Sequence, residues 1–108
     1  MTKQSQADID IRAERERQKA IEGWTSEHDD EHDKGELARA ADAYCGVWDV
    51  GKVPREWPWE SRWWKPNGRR RNLVKAGALY TAEIERLQRR IEEVSEEIKN
   101  IDGREAVP

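Results

Sequence analysis

Seven apolar residues (Tyr80, Ile84, Leu87, Ile91, Val94, Ile98 and Ile101) follow one another at alternating steps of four and three. That spacing is the heptad stripe of a helix with one face directed at another helix. No proline interrupts residues 69–101, and Glu85 stands four residues ahead of Arg89, a spacing that adds a helical ion pair. A continuous helix over 69–101 measures about 50 Å, and its last three turns exceed what two shorter helices can cover. The stripe therefore packs on the first helix of the same chain or on a partner subunit, and dimerisation through this end is the expectation. Gly103 is expected to end the helix, with a frayed tail to Pro108.

Two shorter helices precede it. Over residues 8–21, Ile9, Ala13, Arg17 and Ala20 share a face, and Gly23 ends the run. Over residues 31–44, Leu37, Ala40, Ala41 and Tyr44 repeat at three and four, and the alanines favour close helix–helix approach. Residues 46–68 carry three of the four prolines and no helical period. They read as a long loop with turns at Trp57-Pro58 and Lys65-Pro66. Loops of this length are usually functional or disordered, and four tryptophans argue against disorder. The predicted architecture is a single all-α domain over 1–108. It is a small bundle of three main helices with a Trp-rich basic loop at 46–68 and a long helix at 69–101. With 35% hydrophobic and 40% charged residues, its core is thin, which favours completion by oligomerisation.

No apolar run is long enough to cross a bilayer and no signal peptide opens the chain. The lone Cys45 has no internal disulfide partner, so a reducing cytoplasm is expected; it reads as a small helix filler rather than a nucleophile. Charge is unevenly spread. Residues 1–51 hold seven bases and thirteen acids, residues 52–71 seven bases and two acids, and residues 72–108 six bases and eight acids.

The basic segment also holds four of the six tryptophans: Trp57, Trp59, Trp63 and Trp64. Tryptophan beside arginine offers stacking planes and charge to bases and phosphates. Lys65 and the run Arg69, Arg70 and Arg71 at a helix start suit an anion. The competing reading has the tryptophans stapling the loop to the core, with the arginines paired to acids of the second helix. Lys75 interrupts the apolar run Leu73-Val74-Lys75-Ala76, where an unpaired charge is costly. It meets a ligand, snorkels, or pairs with Asp33 or Glu36. Arg17 and Gln18 point into the same pocket or lie on a solvated face.

Both histidines sit among carboxylates at residues 27–36. His28, His32 and Glu36 follow at four-residue intervals, a spacing that lets side chains share a divalent ion. The alternative is a solvated helix start with Asp29 or Asp30 as the cap. No zinc signature, Gly-rich phosphate loop or nucleophile–base pattern is present, and no catalytic residue is assigned.

The order Glu14-Arg15-Glu16-Arg17-Gln18, Gly23-Trp24, His32-Asp33-Lys34-Gly35-Glu36-Leu37-Ala38 and Leu73-Val74-Lys75-Ala76-Gly77-Ala78 resembles short phage-type members of the MazG-like all-α nucleoside triphosphate pyrophosphohydrolases. The Trp-Pro-Trp and Trp-Trp-Lys-Pro segments are similar to those of a group of phage and prophage proteins. The resemblance implies Mg²⁺ as cofactor, with metal ligands falling on His32, Asp33 and Glu36. A second ligand pair would fall on Asn72 and Lys75, in place of Glu and Asp. Fewer carboxylates leave such an ion dependent on substrate phosphates, while a lysine there neutralises phosphate directly.

The leading expectation is a phage accessory protein in the host bacterial cytoplasm. It would bind a phosphorylated nucleotide, including a cyclic signalling nucleotide, without efficient turnover, as an anti-defence sponge. Its ligand residues would be Trp57, Trp59, Trp63, Trp64, Lys65, Arg69, Arg70, Arg71, Lys75 and Arg17. A Mg²⁺-dependent MazG-like pyrophosphohydrolase using Asp33 and Glu36 is the alternative. Nucleic acid is disfavoured by the net charge of −3, and a protein adaptor acting through the heptad stripe is a further reading.

Overall fold

The structure, a computed structural model, describes residues 3–46 and 52–105. Among them it contains four α-helices and one short 3-10 turn, with no strand. The helices are α1 (Gln6–Ile21), α2 (Ser26–Asp30), α3 (Glu36–Cys45) and α4 (Arg69–Glu105), and the 3-10 turn is Ser61–Trp63. The all-α architecture with a long C-terminal helix matches the sequence expectation. No helix among the described residues is long and apolar enough to cross a membrane.

The local chemistry explains the boundaries. The Ser5 side chain caps α1 by accepting from the Asp8 amide. Gly23, at φ 77°, turns the chain after α1, and the Trp24 amide donates back to the Gln18 carbonyl. Thr25 then caps α2 by accepting from the His28 amide. The helix expected over 31–44 begins only at Glu36, and a separate short helix, α2, precedes it at Ser26–Asp30. Thr25 starts a turn of helix early, and Gly35, at φ 80°, occupies the left-handed region just before α3. No side chain favours that conformation, so the chain re-aims there. At the other end, α4 runs through Gly103 rather than stopping at it. Trp48 and Gly51 of the loop, and the tail after residue 105, lie outside the described residues.

All three shorter helices pack on α4, and α3 does so most extensively. The shared core joins Leu37, Ala40, Ala41, Ala43 and Tyr44 of α3 to Ala76, Leu79 and Ala82 of α4. Small side chains on both faces permit close approach. Trp57 and Trp64 close this core from the loop side. α1 crosses near Gly77, where Ile11 lies against the glycine backbone at a distance that leaves no room for a Cβ. A buried ion pair ties α1 to α2. Arg15 donates to Asp29 Oδ2 at 2.5 Å, to the Trp24 carbonyl at 3.1 Å and to Glu85 of α4 at 3.3 Å.

The heptad stripe is not covered by α1. Ile84, Leu87, Ile91, Val94, Ile98 and Ile101 are all exposed, and so is every residue from 90 to 102.

Candidate functional site

The loop carries its tryptophans to two different places. Trp64 stacks on Tyr44 (centroids 4.6 Å apart, 27° between planes), and Trp57 meets both edge-on, at 5.0 Å from Trp64 and 5.5 Å from Tyr44. These two rings are buried and serve the core. Trp59 continues the chain of rings outward, touching Trp57 at 5.3 Å, Trp24 at 5.5 Å and His32 at 5.2 Å. Trp63 is 37% exposed, with Arg62 and Lys65 held over its ring at 5.1 and 5.7 Å. Trp24, His28, His32, Trp59 and Trp63 together wall a cleft of about 550 Å³, with Glu22 and Glu60 at its rim. A three-tryptophan, two-histidine wall of this kind presents flat π-faces with a few polar edges.

The histidines are held by a short relay. His28 Nδ1 lies 3.3 Å from the buried Asp29 carboxylate, His28 Nε2 lies 3.2 Å from His32 Nε2, and His32 Nδ1 lies 3.3 Å from Glu36. Asp33 does not join them; it borders a separate cleft with Asp30, Arg86 and Arg90. Among the described residues no three His, Cys, Asp or Glu side chains converge as a metal-ligand group. Of the expected set of His32, Asp33 and Glu36, the structure brings His32 and Glu36 together and directs Asp33 to the other cleft.

A second depression, about 510 Å³, adjoins the first. Arg17, Lys65, Arg71 and Lys75 line it, with Glu22 and the Pro66-Asn67 turn. Four of the expected ligand residues thus meet here. The other two arginines of the triplet diverge, because consecutive helical residues point about 100° apart. Arg69 donates to the Cys45 carbonyl, and Arg70 pairs with Asp10 of α1 at 2.8 Å. The partners of Arg70 and Arg71 thus belong to α1 rather than to the second helix.

Beneath the basin lies Glu14, buried on α1. It accepts from Arg17 through both oxygens, at 2.8 and 2.9 Å, from Gln18 at 3.0 Å and from Arg71. Burial pushes its carboxyl up, but the hydrogen bonds from Arg17 and Gln18 and the charges of Arg17 and Arg71 outweigh it, so the group titrates below the usual carboxylate range. A depressed acid contributes stability that is complete above its unfolded-state pKa and is lost as pH falls through the lower folded value. Acid unfolding of the wild type should therefore steepen below roughly pH 4.3, the ordinary glutamate value. Glu14→Gln should flatten that limb and lower stability at neutral pH by about 2–3 kcal/mol, because Arg17 and Arg71 can partly rehydrate. Denaturant titrations from pH 3 to 7 check this; parallel pH profiles for the two proteins would show that Glu14 contributes nothing.

Lys75 meets neither Asp33 nor Glu36. Its ammonium donates to the Lys65 carbonyl at 2.5 Å and to Asn67 Oδ1, and lies 5.5 Å from the Tyr44 ring centroid. Asn72 completes this clamp: its amide oxygen accepts from the Asn67 amide at 2.6 Å, and its Nδ2 donates to the Asn67 carbonyl at 2.9 Å. The two positions at which the resemblance would seat a second metal-ligand pair thus hold the Lys65-Pro66-Asn67 turn in place. Burial pushes the Lys75 ammonium below its usual range, which an added anion would reverse.

The cleft and the basin adjoin, and together they make up the candidate groove. Glu22 belongs to both, bonded to Arg17 at 3.3 Å and Lys65 at 3.5 Å. Between them is a void of about 10 Å³ bordered by Gln18, Trp24, Tyr44 and Trp63. Gln18 Oε1 is buried beside it with no donor among the described residues. Sequence reasoning did not assign Trp24, Glu22 or Glu14 to the site, and left Gln18 between the pocket and a solvated face. The Gly23-Trp24 step and the 14–18–22 helical spacing were the visible traces. No protein-family model, curated protein or solved structure matches the chain.

Proposed function

We propose that the groove binds a phosphorylated nucleotide, with the base in the tryptophan–histidine cleft and the phosphate in the cationic basin. The observation that carries this reading is that the two depressions adjoin, with Glu22 lining both. A stacking surface and a cluster of four cations stand side by side, the arrangement a base and its phosphate require. Arg17, Lys65, Arg71 and Lys75 outnumber Glu14 and Glu22, so the basin retains positive charge. The carboxylates of Glu22 and Glu60 at the cleft rim suit bases that offer amino hydrogens. Sequestration without turnover, and a role as an anti-defence sponge of a phage, rest on the sequence resemblance.

Isothermal titration with adenosine and guanosine monophosphates, their cyclic counterparts, the free nucleosides and inorganic phosphate tests the reading. A nucleotide is expected to bind more tightly than either half alone. Trp63→Ala, at an exposed site, should weaken nucleotide binding roughly 5- to 100-fold, the value of one stacked base. Arg71→Gln should weaken the nucleotide and leave the nucleoside unchanged. Absence of binding by every probe at high micromolar concentration would sink the proposal. Recovery of the bound nucleotide intact after incubation with Mg²⁺ distinguishes sequestration from pyrophosphohydrolase activity.

A further inference from the structure

The exposed half of α4 carries a second, independent message. In heptad terms Ile84, Ile91 and Ile98 occupy the a positions, and Leu87, Val94 and Ile101 the d positions. The bundle packs on the opposite side of the helix. Arg15 reaches Glu85, at b, and Asp30 takes Arg89, at f, at 2.7 Å. The a/d face is left open from Ile84 onward, at 66% exposure for Ile84 and 58% for Ile91. An isolated helical extension of this kind is marginal in water without a partner for its apolar face.

The flanking charges specify that partner. Arg90 and Glu97 sit at successive g positions, whereas the e positions Gln88 and Ser95 are neutral. In a parallel pair g faces e of the next heptad. Arg90 would meet serine, and Glu97 would meet the like-charged Asp102. In an antiparallel pair g faces g. When Ile84 packs on the partner subunit's Ile101, and Ile91 on the partner subunit's Val94, Arg90 lies beside the partner subunit's Glu97, twice by symmetry. Sliding by one heptad sets Arg90 against Arg90 in one direction and Glu97 against Glu97 in the other. One orientation and one register therefore satisfy the charges.

We infer that the chain forms a homodimer through an antiparallel coiled coil of residues 84–101, in the register that pairs Arg90 with Glu97 across the two-fold axis. Among the described residues, Arg90 pairs only with Glu93 of its own helix, an exposed contact at 3.3 Å, weak enough to be exchanged.

Sedimentation equilibrium on the full chain at micromolar to roughly 100 µM concentration reads the association directly. The wild type should dimerise, and Ile91→Asp should be monomeric; the exposed site keeps the bundle core intact. Arg90→Glu and Glu97→Arg should each weaken the dimer about tenfold or more, since each replaces two attractions with two repulsions. The double variant carrying both changes should return to within about threefold of the wild type. A monomeric wild type overturns the proposal. So does a dimer whose strength ignores the single reversals, or one that the double variant fails to restore.

Discussion

Replacing Asp29 with alanine is expected to cost about 3–5 kcal/mol of stability, the range for stranding one member of a buried ion pair. Asp29 is fully buried and Arg15 nearly so. The guanidinium has committed its other donors to the Trp24 carbonyl and to Glu85, so it cannot swing to solvent without releasing α1 from α2 and α4. A loss of this size is a large fraction of the total stability of a small domain. Urea denaturation followed by far-ultraviolet circular dichroism measures it, and an unchanged midpoint would show that the pair is dispensable. Replacing both partners with apolar residues, Arg15→Met with Asp29→Leu, should recover part of the loss, because no charge is then left buried. The consequence extends to the groove. Asp29 also holds His28, so Asp29→Ala should weaken nucleotide binding even under conditions where the protein remains folded.

Trp64→Ala is expected to destabilise by a comparable amount, about 3–5 kcal/mol, from lost burial and the cavity left behind. The ring is stacked on Tyr44 and braced by Trp57, and with Trp57 it anchors the loop in a core otherwise built largely of alanine. Its Nε1 has no acceptor among the described residues, so the ring contributes through packing rather than hydrogen bonding. Trp64→Phe should therefore retain much of the stability, losing roughly 1–2 kcal/mol. Thermal melts and limited proteolysis of the loop compare the three proteins. Equal losses in the phenylalanine and alanine variants would point to a polar role that the geometry does not show. The contrast with Trp63→Ala separates the two duties of the loop, since that change should reduce binding with little effect on melting.

The pattern of residues made some of this legible in advance. The α4 heptad stripe, the Ala-rich face of α3 and the proline-punctuated loop are local periodicities, and local periodicity survives into the fold. The late start of the second long helix was harder to see. A left-handed Gly35 forms the N-cap and the helix starts at Glu36, after a non-helical turn over 31–34. The arginine triplet was read as one patch, yet helical geometry sends Arg69, Arg70 and Arg71 to Cys45, Asp10 and Glu14 respectively.

Sequence sufficed for what depends on neighbours along the chain: helical content and the apolar stripe of α4, with the charges of Arg90 and Glu97 beside it; that the stripe lies open was decided by packing. Packing chose what depends on neighbours in space. It sent Trp57 and Trp64 inward and left Trp59 and Trp63 on the groove. It turned Lys75 from an isolated charge in an apolar run into the clamp on Lys65 and Asn67. It also brought Trp24, from the far side of α1, to complete the aromatic wall. Those outcomes turn on which buried charges find partners and which rings fill the space beside an alanine face. Both are settled only when distant segments meet.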